Sequence, residues 1–74
     1  MTDTRTIGQK LVGLDFNPSG DEKVLRIKQA IAAVIDLIDT STPTSWMHRQ
    51  LILSALNALV TAQMWAVKVV TWKE

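Results

Sequence analysis

The run VLRIKQAIAAVIDLIDTSTPTSWMHRQLILSALNALV, residues 24–60, decides the fold. Val24, Ile27, Ile31, Val34, Ile35 and Ile38 recur mostly at three- and four-residue steps, the period of an amphipathic helix. Lys23, Arg26, Gln29, Asp36 and Asp39 lie mainly off that stripe. The period stops at DTSTPTS, residues 39–45, where Thr42 before Pro43 reads as an N-cap with proline in the first helical position. A connection this short between two long helices makes them antiparallel neighbours. The expected fold is therefore all-α, a short N-terminal arm plus an antiparallel helical hairpin. Its expected parts are an arm and turn over 1–18, one helix over 20–39 and a second over 43–72, all in a single domain spanning 1–74.

Upstream, GLDFNPSGDE (13–22) reads as the launch of the first helix. Pro18 fixes its own φ and pushes Asn17 out of the helical region. Ser19 and Glu22 have capping-box spacing, and Asp21 and Glu22 suit the positive end of a helix. Residues 1–12 show no clear period, and Gly8 and Gly13 interrupt any long helix, so an extended arm or a short helical turn is expected.

Downstream, the second helix meets neither glycine nor proline after Pro43 and would run about 28 residues, on the order of 42 Å. Its polar residues Gln50, Ser54, Asn57, Thr61 and Lys68 form a narrow stripe, and most of the remaining circumference is apolar. A single neighbouring helix cannot cover such a cylinder. A 74-residue chain with 47% apolar residues has little interior, and without cysteine it has no disulfide staple. Self-association is the remaining staple, so an obligate homo-oligomer is expected. The segment LILSALNALVTAQMWAV (51–67) carries no charge and sits at the short limit of a membrane span. Its polar residues Ser54, Asn57, Thr61 and Gln63, with Arg49 and Lys68 just outside, favour a buried oligomer helix. A small holin-like membrane protein remains the lesser alternative.

The residues exclude more chemistry than they offer. There is one histidine, His48, and no cysteine, so neither a zinc site nor a thiolate nucleophile can be assembled. No glycine-rich phosphate loop is present, and Asp36 with Asp39 reads as a solvated face, so no enzyme, metal or cofactor is expected. A formal charge of +1 argues against a binder of polymeric nucleic acid, which normally shows a strong basic stripe. It leaves room for a small anion held by a few placed cations.

Two constellations fit such an anion. Phe16, the only phenylalanine, stands on the Pro18 turn, and Lys28 borders the apolar stripe. Each has an ordinary reading, Phe16 folded over Val24 as a staple and Lys28 snorkelling. Facing a cleft between chains, they would instead supply a π-face and a phosphate contact. Trp65 and Lys68, three apart in MWAVK (64–68), can line one groove. Trp46, Trp65 and Trp72 otherwise read as core or interface material, or as a stacking wall for a base.

FNPSG, a charged helix start with V-x-x-I-K, and AQMWAVK near the C-terminus together resemble the phage anti-CBASS cyclic-oligonucleotide sponges. These are related through a helical hairpin domain to the sponges used against Thoeris defence. The resemblance covers about Gly8 to Thr71. It implies a non-catalytic homohexamer, acting in the cytoplasm of the bacterial host, that binds cyclic dinucleotides such as cGAMP and cyclic trinucleotides and so keeps host effectors inactive. It implies Phe16 and Lys28, with Asn17 and Ser19 of the same turn, for the dinucleotide pocket. Lys68, with Trp65, is implied for the trinucleotide pocket. Gln9 stands where some members place a tyrosine, and Leu59 and Val60 where many carry an acidic residue. The alternative to this reading is an oligomeric helical adaptor that binds another protein.

Overall fold

The computed structural model describes residues 4–74, so the first three residues of the expected arm lie outside the described residues. Three helices follow one another: α1 (Ile7–Val12), α2 (Glu22–Asp39) and α3 (Trp46–Thr71). The described residues contain no strand. The starts of α2 and α3 differ by two or three residues from the positions expected from sequence, and the caps explain why.

Of the two forms expected for the N-terminal segment, an extended arm or a short helical turn, residues 7–12 take the helical one, with a complete capping box. Thr6 Oγ1 accepts from the Gln9 N–H at 3.1 Å, and Gln9 Oε1 accepts from the Thr6 N–H at 3.0 Å. Gln9 is thereby spent on the helix start. Gly13 closes α1 in the left-handed region at φ 63°, where a side chain would be strained. Gly8 does not interrupt the helix; it is buried in it. A Cβ at Gly8 would collide with the Ala32 carbonyl oxygen, so glycine is what allows α1 to lie against α2.

The N-cap of α2 is Asp21, whose Oδ1 accepts from the Lys23 N–H at 2.8 Å. Ser19 is therefore not the cap, because its hydroxyl is engaged one step earlier. It accepts from the Asp21 N–H at 3.2 Å and donates to Asn17 Oδ1 at 2.8 Å. Likewise α3 is capped by Ser45, and the Thr42–Pro43 pair stays in the connection. Ser45 Oγ accepts from the His48 N–H at 3.0 Å, and His48 Nδ1 accepts from the Thr44 N–H at 3.0 Å. The first bond satisfies an orphan donor at the helix start, and the second ties the His48 ring to the connection.

Val12, Ala32 and Ile35 form the buried centre, with Leu14, Ile31, Leu56, Leu59 and Val60 packed against it. At the other end of the hairpin, Val24 and Lys28 share a cleft with Val67 and Thr71. The start of α2 thus meets the end of α3, and the two helices run antiparallel. By rise per residue they are about 27 and 39 Å long, so α3 outreaches its partner.

Burial along α3 is inverted relative to its chemistry. Its one buried residue is Gln63, whereas Trp46, Met47, Leu51, Leu53, Met64, Trp65 and Val69 are exposed. The helix is also long and apolar enough to cross a membrane by length and composition, and only 6% of its apolar window is fully buried within one chain.

Candidate functional site

The loop between α1 and α2 is held by Lys28. The lysine is 5% exposed, and its ammonium donates to the Gly13 carbonyl at 3.0 Å and to the Phe16 carbonyl. These oxygens belong to the turn that ends α1, where carbonyls lose their intrahelical partners. Lys28 therefore lies inward of the stripe edge expected for it, and it fastens a turn 12 to 15 residues away in sequence. Two of the ammonium's three donors serve the protein.

Phe16 does not fold over Val24 as a staple. It is 73% exposed, and the Lys28 ammonium stands 5.7 Å from its ring centre. Phe16 and Lys28 line two clefts at once. One, of about 270 Å³, continues along Asn17, Pro18, Ser19, Val24, Val67 and Thr71. The other, of about 480 Å³, runs from Lys10 and Leu11 past Gly13 to Gln63, Met64 and Val67. An exposed ring with a fixed cation at its base can stack on a flat π-system while attracting the negative charge attached to it.

Asn17 and Ser19 lie beside this ring, but their polar atoms are occupied. Asn17 Nδ2 donates to the Asp21 carbonyl at 3.1 Å, and Asn17 Oδ1 receives the Ser19 hydroxyl. The Gly20 N–H donates to the Asn17 carbonyl at 3.1 Å, with Gly20 at φ 65°. The two side chains act as internal ties of the turn. Across α1, Arg5 pairs with Asp15 and closes the loop from the other side.

Trp65 and Lys68 are brought together on the last turns of α3, on a separate face. The Lys68 ammonium lies 5.8 Å from the Trp65 ring centre. These residues line an open cleft of about 360 Å³ with Thr61 and Met64. Sequence reasoning did not assign Trp72 to this group. It stands four residues past Lys68, and its ring centre is 6.0 Å from the same ammonium. The i, i+4 spacing was the signal. Asp36, expected on a solvated face, was missed too: its carboxylate accepts from the Gly8 N–H.

Among the described residues no group of three or more His, Asp or Glu side chains is placed to hold a metal.

No curated protein and no solved structure matches the chain. The family model for the Acb2/Tad1 hairpin domain matches residues 9–71, which takes in the turn, Lys28, both long helices and the Trp65–Lys68 pair. The all-helical hairpin agrees with this match, and the chain belongs to the Acb2/Tad1 hairpin-domain family, the family of anti-CBASS and anti-Thoeris sponges.

Proposed function

We propose that this protein is a phage-encoded sponge that sequesters host cyclic dinucleotides, and cyclic trinucleotides at a second site, before they reach CBASS effectors in the bacterial cytoplasm. Membership of a non-catalytic sponge family supports the class of function. The observation that carries the ligand assignment is the Phe16–Lys28 pair: a ring 73% exposed, with a buried, doubly anchored ammonium 5.7 Å from its centre.

In this reading Phe16 stacks on a base, and Lys28 supplies charge and its third donor to the adjoining phosphate. Stacking contributes about 1–3 kcal/mol per base, and a charge-assisted phosphate contact about 1.5–3 kcal/mol. A sponge performs no chemistry, so its affinity must come from low ordering cost. The Asn17–Ser19–Asp21 ties and the Lys28 anchor hold the turn in one shape before ligand arrives.

The exposed apolar residues of α3 support assembly into a homo-oligomer, a hexamer on the family's pattern, whose seams complete the pockets. The same exposure suits the holin-like alternative, against which the polar stripe and Lys68 weigh.

Calorimetric titration of the Phe16→Ala variant with cGAMP tests the assignment. Affinity is expected to fall by roughly 5- to 150-fold for each stack lost, with the subunit count by native mass spectrometry unchanged. A variant that titrates like the parent protein refutes the pocket. A parent protein that binds no cyclic nucleotide favours the adaptor reading.

A further inference from the structure

Gln63 is the one buried residue of α3, 6% exposed, and it is an amide on an otherwise apolar face. Val60, Met64 and Val67 flank it at helical spacing, and all four line the cleft of about 480 Å³ that Phe16 and Lys28 also border. Among the described residues the Gln63 amide has no hydrogen-bond partner. No sealed side-chain nitrogen or oxygen lacks a partner among them either, so the polar atoms of Gln63 stay open, and the cleft is what they open to.

An amide held nearly out of water without a partner loses hydration and gains nothing in exchange. A methionine here would pack on the same apolar neighbours without that cost. Such an unsatisfied group in a native fold calls for a reason. The other polar side chains of the turn are spent internally: Asn17 on the Asp21 carbonyl, Ser19 on Asn17, and Lys28 on the Gly13 and Phe16 carbonyls. Gln63 is not. The cleft therefore offers an exposed ring, a fixed cation and an unpaired amide together. Those are the groups that stack on a base, attract its phosphate and read its edge.

A carboxamide presents an acceptor beside a donor. Adenine offers the matching pair on both of its polar edges, N6–H with N7 and N6–H with N1. Guanine offers only acceptors at N7 and O6 and only donors at N1–H and N2–H, and just its O6 and N1–H step matches. We propose that Gln63 is a specificity-determining residue that reads the edge of the base stacked on Phe16 and favours adenine over guanine. This rests on the reading of the chain as a cyclic-dinucleotide sponge and deepens the Phe16 pocket.

The experiment titrates the intact assembly of the parent, Gln63→Met and Gln63→Glu proteins with cyclic di-AMP and, separately, with cyclic di-GMP. The parent should prefer cyclic di-AMP. Gln63→Met keeps the length of the side chain and removes both polar groups. It should bind cyclic di-AMP roughly 5- to 150-fold more weakly for each base read, with a melting temperature equal to or above the parent's. Gln63→Glu presents acceptors only, which suit the N1–H and N2–H donors of guanine, so the affinity ratio should move toward cyclic di-GMP by roughly 5-fold or more. The ratio is the readout because a carboxylate near phosphate weakens both ligands. A Met variant that binds cyclic di-AMP like the parent overturns the proposal, as does a Glu variant that keeps the parent's ratio. A Met variant whose assembled mass falls by native mass spectrometry places the amide at a contact between copies and overturns it too. A parent that binds neither ligand removes the sponge reading and this proposal with it. Binding of cyclic di-AMP that is weakened in Phe16→Ala and kept in Gln63→Met upholds the pocket and overturns the reader alone.

Discussion

The backbone N–H of Gly8 donates to the Asp36 carboxylate at 2.8 Å, joining α1 to α2 across 28 residues of chain. Because the glycine has no side chain, the two helices approach until a Cβ would strike the Ala32 carbonyl. The contact docks the segment that leads into the Lys28-bound turn, so the candidate pocket depends on it.

Gly8→Ala should therefore be among the most damaging single substitutions, since the obstacle is rigid helix backbone and α1 must move away. Asp36→Ala removes the acceptor and leaves a buried N–H, at a cost of about 1–3 kcal/mol. Urea denaturation should show lower midpoints for both. A Gly8→Ala midpoint equal to the parent's would mean that α1 does not pack against Ala32 in solution.

Phe16 and Lys28 should separate function from stability. Phe16→Ala removes an exposed ring and should shift stability by no more than about 0.5 kcal/mol. Lys28→Met keeps the buried stem but takes the donor from the Phe16 carbonyl and one of two donors from the Gly13 carbonyl, which keeps the Phe16 N–H, a loss of about 1–3 kcal/mol. Hydrogen exchange should rise across residues 13–20 in the lysine variant and stay near the parent's in the phenylalanine one. Equal protection in both would show that Lys28 does not hold the turn.

Gly20 occupies the left-handed region at φ 65°, with nothing within 4 Å of a built Cβ. Gly20→Ala should cost about 1–2 kcal/mol from backbone conformation alone. Gly20→Asn should recover part of it, because asparagine tolerates that region. Thermal melts of the pair check the order Gly, Asn, Ala.

Leu51 is 68% exposed on the apolar surface of α3. If copies of the chain cover that surface, Leu51→Glu buries an unpaired charge at the seam and should reduce the assembled mass seen by native mass spectrometry. A parent chain that remains solitary at micromolar concentration would remove the oligomer from the proposed function.

Ser45→Ala tests the connection between the long helices. Losing the Ser45 cap should cost about 0.5–2 kcal/mol, while Thr42→Ala should be nearly silent. The reverse order, read from denaturation midpoints, would place the start of α3 at Thr42.

The amino-acid sequence by itself determined the two long helices, their antiparallel pairing and the excess apolar surface of the second. Those features follow from side-chain period and turn chemistry within a few residues, which the backbone imposes wherever the chain lies. It also marked Phe16, Lys28, Trp65 and Lys68 as the side chains to watch. Tertiary structure decided what each of them touches. A lysine at the border of an apolar stripe turns outward to water or inward to an acceptor according to what lies beneath it. Here the end of α1 brings the Gly13 and Phe16 carbonyls to Lys28, an encounter between segments more than ten residues apart that no local pattern encodes. The burial of Gly8 against Ala32 depends likewise on geometry that exists only once the helices are in place.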